Sequence, residues 1–188
     1  MKTRSPEYAR VSERREVVLA GAGGQGLVFL GRLLGAAAVR AGLRVVQTQS
    51  YGVASRGGFS KSELIVSPMP IAYPMAVDPW GVLALTDEAR RMYRHGADGS
   101  ERLVVFDNSV SSEAEGRGEL GSSFLRIARE RGMEDNFNMI ALGAFVTLRR
   151  VVEPHHVTKI LEESDTKMTE ANLNAFRLGL DLPDGGVE

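Results

Sequence analysis

The segment Gly21-Ala22-Gly23-Gly24-Gln25-Gly26 follows the apolar run Val17-Val18-Leu19-Ala20 and leads directly into a helical pattern. A glycine turn between a strand and a helix N-terminus gathers backbone N–H groups and the positive end of the helix dipole at one point, which suits an anion. The spacing also satisfies G-x-G-x-x-G, the dinucleotide fingerprint, although such a turn arises wherever a helix packs closely on a sheet. A nicotinamide or flavin site adds an acid at the end of the second strand, to hold the ribose hydroxyls. The second strand here, Leu43-Arg44-Val45-Val46-Gln47-Thr48-Gln49, carries none. The turn also lacks the Lys-Ser/Thr ending of a phosphate loop that hydrolyses nucleotides.

A second constellation, Gln49-Ser50-Tyr51-Gly52-Val53-Ala54-Ser55-Arg56-Gly57-Gly58, follows that strand at its carboxyl end. Ligand crevices of open α/β sheets form along this edge, so two glycine-bearing loops are expected to face each other there. Gly57 and Gly58 let a backbone approach closely, and Arg56 offers a planar fork to a phosphate or carboxylate. A tight surface loop whose arginine pairs with a nearby acid explains the same residues equally well.

The remaining chemical candidates read as structural. His95 sits beside Gly96 near a helix end, where an imidazolium complements the dipole. His155 and His156 follow Pro154 at a helix start and share no metal-ligand spacing with other residues. Asp107 ends a strand, Trp80 reads as core or interface, and the scattered Met69, Met75, Met133, Met139 and Met168 read as packing.

The elements that must position these residues alternate. Strands are predicted at 16–20, 44–49, 58–67, 82–85 and 102–107, and helices at 25–41, 86–95, 121–131, 137–150, 155–163 and 167–179. In the first helix Leu27, Leu30, Leu34, Ala37, Ala38 and Ala41 recur at helical spacing, and Gly42 ends it. Alternating strands and helices imply right-handed crossovers and a parallel sheet covered on both faces. Only a polar loop separates the second and third strands, so the third is expected to run antiparallel and make the sheet mixed. The fold class is therefore α/β, a three-layer α/β/α sandwich with a mainly parallel sheet. Residues 15–180 form the domain, flanked by loose arms at 1–14 and 181–188.

Composition limits the function classes. The 188 residues carry a net charge of −1, so nothing marks a nucleic-acid or acidic-membrane partner. The chain has no cysteine, which excludes disulfides, a thiolate nucleophile and cysteine-ligated clusters. Neither a signal peptide nor an apolar run long enough to span a bilayer is apparent, and a cytoplasmic location is expected.

Taken together, strand, G-x-G-G-Q-G, alanine-rich helix, second strand and S-Y-G-x-x-x-R-G-G resemble the gamma subunit of 2-oxoacid:ferredoxin (acceptor) oxidoreductases. Ser67-Pro68 with Ile71 and Pro74, Asp78 before Val82-Leu83-Ala84-Leu85, Asn138 to Ala144, and Asn172 to Gly179 extend the resemblance from about residue 16 to residue 180. A Pro-Glu pair common in that family is replaced by Val53-Ala54-Ser55, so no glutamate role carries over. The Ser50-Tyr51-Gly52 and Arg56-Gly57-Gly58 flanks, with Lys61-Ser62-Glu63 after them, look closest to the 2-oxoglutarate branch.

The resemblance implies a Rossmann-like fold and a subunit of a complex that converts a 2-oxoacid and coenzyme A to acyl-CoA, carbon dioxide and reduced ferredoxin. It places thiamine diphosphate, magnesium and iron–sulfur clusters in partner subunits only, either alpha and beta or alpha, beta and delta, with ferredoxin contacted indirectly. This chain would close over the active site and help bind coenzyme A through Gly23, Gly24, Gln25, Gly26, Ser50, Tyr51, Gly52, Arg56, Gly57 and Gly58. No catalytic residue or metal ligand is assigned to it, and the lone chain is expected to be inactive and to self-associate through exposed interface. Two other readings stay open: a purely structural assembly subunit, and an independent nucleotide-binding oxidoreductase.

Overall fold

A computed structural model describes residues 13–51, 58–95, 100–110, 116–164 and 168–182. Strand β1 (Arg15–Ala22) leads through the glycine turn into helix α1 (Leu27–Arg40), then β2 (Arg44–Tyr51) and β3 (Phe59–Ser67). After an extended strap over residues 68–80 come β4 (Gly81–Ala84), α2 (Asp87–Tyr93), β5 (Leu103–Asp107), β6 (Glu119–Ser122) and α3 (Phe124–Glu130). Helices α4 (Phe137–Arg149), α5 (Pro154–Glu163) and α6 (Thr169–Leu180) complete the order.

The six strands are arranged β2-β3-β1-β4-β5-β6. β1, β4, β5 and β6 are parallel neighbours, while β3 runs antiparallel to both β1 and β2. The mixed sheet expected from the missing crossover helix is therefore present. The strip 121–131 expected to be wholly helical is not: residues 119–122 form β6, and α3 starts only at Phe124. Leu120, Phe124 and Ala128 recur at helical spacing across the junction, which hid the strand. Pairing with β5 (Val105 opposite Leu120, Phe106 opposite Gly121) overrides that local pattern.

Alternate residues of each strand face opposite layers. Val17 and Leu19 join a large core with α1, α3, α4, α5 and α6, whereas Val18 and Ala20 face a smaller one with Val82, Ala84, Ala89 and Phe106. The second layer consists of the short α2 and the strap, so the three layers are unequal.

Two close approaches set the thick layer. A Cβ on Gly31 would lie 2.2 Å from Ser62 Oγ, so α1 rides directly on β3. A Cβ on Gly143 would lie 2.3 Å from the Phe176 carbonyl, and one on Gly179 would lie 2.0 Å from that of Ile140. The backbones of α4 and α6 thus touch at a pair of glycines, as small residues permit.

The thin layer is locked by charge. Arg90 of α2 donates through Nε and Nη2 to the two carboxylate oxygens of Glu119 on β6, both at 3.0 Å, and both side chains are buried. The Arg90 guanidinium also lies 3.8 Å from the centre of the Phe106 ring. Arg14, expected in a loose arm, is instead bound to the strap through the Tyr73 and Met75 carbonyls.

Candidate functional site

β1 and β4 are adjacent and parallel, yet α1 leaves β1 into the thick layer and α2 leaves β4 into the thin one. Their carboxyl ends therefore form a topological switch point, where a crevice opens in α/β sheets. The glycine turn sits there.

Each part of the turn has a physical cause. Gly24 and Gly26 have φ of 97° and 76°, a left-handed conformation that L side chains rarely adopt. A Cβ on Gly21 would meet Gln25 Oε1 at 2.2 Å, and one on Gly26 would meet Asn138 Nδ2 at 2.6 Å. Gly24 has open space around it, so its glycine serves backbone conformation rather than packing.

Gln25 holds the turn from within. Its Oε1 accepts from the Ala22 N–H at 2.7 Å, and its Nε2 donates to the Leu85 carbonyl at 3.2 Å. The side chain thus ties the end of β1 to the end of β4. Asn138, at the start of α4, donates Nδ2 to the Gln25 carbonyl at 3.0 Å. Sequence reasoning noted Asn138 only within the resemblance; its contact joins residues too far apart for a local pattern to reveal.

The two glycine-bearing loops do meet. The Gly23 N–H donates to the Gly58 carbonyl at 2.9 Å, continuing a register in which Ala22 opposes Phe59 and Gly21 opposes Ser60. Ser50, next to last in β2, is exposed at the same edge, opposite Lys61. The Tyr51 side chain and Gly52, Arg56 and Gly57 lie outside the described residues. Among the described residues no side chain caps α1, and its first turn carries no acid, so its dipole and leading amides face the crevice uncompensated.

The rim has its own charges. Lys61 Nζ lies 2.6 Å from Glu63 Oε1, and Thr48 Oγ1 donates to Glu63 Oε2 at 3.3 Å. Burial pulls the Lys61 pKa down, but the Glu63 hydrogen bond and charge and the neighbouring Tyr93 outweigh it and leave it raised. Burial pushes Tyr93 up, and Lys61 only partly offsets that. Asp107 is buried and accepts from the Ser109 and Leu125 amides at 2.8 and 2.6 Å, so it fastens the β5 turn to the start of α3. This is the structural role expected of it.

A free-standing dinucleotide site fits poorly. β3 separates β2 from β1, so the end of β2 lies two strand spacings, about 10 Å, from the strand that carries the glycine turn. Gln47, midway along β2, is also committed, donating to the Val28 carbonyl at 3.2 Å and to Ser62 Oγ at 2.8 Å.

The other candidates meet expectation only in part. Trp80 packs against the large core, as expected, and in addition carries the Arg149 and Arg15 guanidinium groups 3.5 and 4.7 Å from its ring centre. Burial, then the charge of Arg15, lowers the Arg149 pKa to about 10. His155 and His156 do share a cluster, because their donor atoms and a Glu153 oxygen all lie within 4.8 Å of one another. Met139 is packed in the core, but Met69, Met75, Met92 and Met168 are exposed. Among the described residues, no helix is long and apolar enough to cross a membrane.

Comparison with known proteins places this geometry. The family model for pyruvate ferredoxin/flavodoxin oxidoreductase matches residues 16–182. The 2-oxoglutarate synthase subunit KorC of Methanocaldococcus jannaschii is 35% identical over 179 residues, covering 92% of this chain and 96% of that protein. The crystal structure of a keto/oxoacid ferredoxin oxidoreductase gamma subunit from Geobacter sulfurreducens superposes with a TM-score of 0.74 at 32% identity, over 90% of this chain and 96% of that one. The same fold recurs in 2-oxoglutarate:ferredoxin oxidoreductase from Magnetococcus marinus, solved with 2-oxoglutarate, coenzyme A and succinyl-CoA bound. There the TM-score is 0.75 at 22% identity, and the match covers 90% of this chain but 31% of that one. With the family model spanning nearly every described residue and a gamma subunit of matching length sharing the fold, the chain belongs to the pyruvate ferredoxin/flavodoxin oxidoreductase family, among its gamma-type subunits.

Proposed function

We propose that this chain is the gamma subunit of a multi-subunit 2-oxoglutarate:ferredoxin oxidoreductase and supplies part of the coenzyme A site. The observation that carries this reading is the glycine turn, held by Gln25 and Asn138 and hydrogen-bonded to Gly58, beneath a helix N-terminus that no side chain among the described residues caps. Preorganised amides at such a point favour a phosphate group, and coenzyme A carries several.

The residues present fit that ligand. Gly24 and the first amides of α1 would face its phosphates, with Ser50 and Tyr51 at the end of β2 and Gly52, Arg56, Gly57 and Gly58 following them in sequence; the Gly23 amide, already bonded to the Gly58 carbonyl, would act by holding the turn against that segment. Gln25 acts on the ligand through the turn it holds, since its amide is already bonded to Ala22 and Leu85. Coenzyme A supplies the thiol that accepts the acyl group; this chain's part is to orient it and exclude water.

Oxidative decarboxylation of 2-oxoglutarate with coenzyme A yields succinyl-CoA, carbon dioxide and two electrons for ferredoxin. A chain without cysteine offers no thiolate to an iron–sulfur cluster, so electron transfer belongs to partner subunits, together with thiamine diphosphate and magnesium.

The test is steady-state kinetics of the assembled enzyme carrying Arg56→Ala or Gly24→Asp. Each variant is expected to raise the KM for coenzyme A about tenfold, the cost of one charge-assisted contact, while the KM for 2-oxoglutarate holds. Unchanged coenzyme A kinetics in both variants would sink the reading. Impaired assembly with normal coenzyme A kinetics would instead favour a purely structural subunit.

A further inference from the structure

Glu153, His155 and His156 lie together at the head of α5, and the fold brings their three side chains to one point. His155 Nδ1 lies 2.9 Å from Glu153 Oε2, and the two imidazole rings stand 4.0 Å apart, centre to centre. One donor atom from each residue lies within 4.8 Å of the other two. Glu153 and His156 are half-buried, and His155 is exposed.

The backbone that carries these donors is anchored on both sides. Val151 and Val152 before it and Val157 after it are buried in the large core. Pro154 occupies the first turn of α5, where its fixed φ suits the helix start. The His156 N–H donates to the Glu153 carbonyl at 3.0 Å, and Thr158 Oγ1 donates to the Pro154 carbonyl at 3.2 Å. The segment is therefore ordered before any ligand arrives, which lowers the cost of binding one.

The donor types select the ligand. Two imidazole nitrogens and one carboxylate oxygen make the His2Glu set of three-ligand zinc sites, which keep a further position open to water. Donors bound to one zinc ion stand roughly 3.3 Å apart, so Glu153 and His155 are already close enough and the third donor closes by side-chain rotation. Magnesium and calcium prefer oxygen donors, whereas imidazole suits zinc and its transition-metal neighbours. Burial, then the neighbouring His155, holds the His156 pKa below its ordinary value, and a neutral imidazole keeps its lone pair for a metal. Two charges oppose a cation here: the dipole at the head of α5, and Arg40, which also lowers the His156 pKa. Arg40 is paired with Glu163 at 2.8 Å, and a helix dipole alters an affinity by less than about tenfold.

We propose that Glu153, His155 and His156 form a surface site for one divalent transition-metal ion of the zinc class. The ion takes the place of the proton between His155 and Glu153. That proton passes to the other ring nitrogen of a neutral imidazole, or to solvent from a charged one. The site is independent of the coenzyme A reading and stands or falls without it.

The test uses the full chain, made without a histidine tag and stripped of metal by a chelator. The chain has three histidines, so each ring can be followed by NMR. Zn2+ is expected to bind at one equivalent in calorimetry and to shift the ring resonances of His155 and His156 while those of His95 hold. Zn2+ that moves no histidine, or all three alike, overturns the site, and this reading needs no variant to fold. Mg2+ at the same concentration should give no binding heat; Mg2+ bound as well as Zn2+ also overturns it. Combining His155→Ala with His156→Ala should weaken Zn2+ binding at least about tenfold, whereas His95→Ala should leave it unchanged. Glu153→Gln, which keeps the shape but loses the charge, should weaken it as well. Wild-type affinity in the double variant refutes the proposal.

Discussion

Asn138 donates its side-chain amide to the Gln25 carbonyl at 3.0 Å, joining the head of α4 to the middle of the glycine turn. Because the same nitrogen would be 2.6 Å from a Cβ on Gly26, the turn and the asparagine fit only with a glycine between them. Asn138→Ala is expected to cost about 1 kcal/mol, the net worth of one hydrogen bond, in urea denaturation of the free chain. In the assembled enzyme it should raise the KM for coenzyme A while leaving the KM for 2-oxoglutarate unchanged. Wild-type coenzyme A kinetics in this variant would mean that the turn does not position the ligand.

Gln25 offers a sharper chemical test. Gln25→Glu keeps an acceptor for the Ala22 amide but sets a carboxylate oxygen against the Leu85 carbonyl, where the wild type has a donor at 3.2 Å. A cost of about 1–3 kcal/mol is expected at neutral pH, as for a polar group left facing the wrong partner. Measured against wild type at each pH, the deficit should shrink as the solution is acidified, because the protonated acid can donate to Leu85. A deficit independent of pH would show that the Leu85 contact carries no weight.

The Arg90–Glu119 pair predicts an acid limit on stability. Burial pushes the Glu119 carboxyl up, but the Arg90 hydrogen bonds, the Gly116 amide and the charges of Arg90 and Arg94 outweigh it and hold the pKa below its ordinary 4.5. A carboxyl with a depressed folded pKa contributes stability above its unfolded pKa, and that contribution is lost as pH falls through the folded value. Glu119→Gln should flatten this acid-side loss in thermal melts taken between pH 6 and about pH 3. Glu119→Ala should cost about 3–5 kcal/mol at neutral pH by stranding Arg90, whereas Arg90→Met with Glu119→Leu should recover most of it. A single variant no worse than the double would refute the coupling.

The α4–α6 contact admits no extra atom. Gly143→Ala or Gly179→Ala would drive a Cβ into a backbone carbonyl, which cannot rotate aside, and each should cost about 3 kcal/mol. Gly42→Ala is the control: its φ of 84° is strained, but the space around it is open, so about 1 kcal/mol is expected. Comparable losses at all three positions would show that conformation rather than contact governs the cost.

How much of this was legible in the sequence depends on how local each signal is. The glycine turn, α1 and the antiparallel β3 were readable because apolar spacing and a missing crossover are properties of consecutive residues. β6 was hidden because Leu120, Phe124 and Ala128 keep a helical period through the strand. The Arg90–Glu119 lock and the Asn138 latch were invisible because each joins elements that only the folded sheet brings together. The exposed methionines were misread as packing because nothing in their spacing tells an inner from an outer face of a strap. For the site, the two facing loops followed from strand order, whereas the inward turn of the Gln25 amide did not.

The glycine interlock of α4 with α6 also bears on how the protein is made. Gly26 leaves the ribosome about 150 residues before Gly179, an interval on the order of ten seconds at ordinary rates of synthesis. For that time the loop proposed to receive coenzyme A exists without its latch. Asn138 is carried by α4, and the seat of that helix is complete only once its backbone meets α6 at Gly143 and Gly179. The first loop to be synthesised is thus among the last to acquire its working shape.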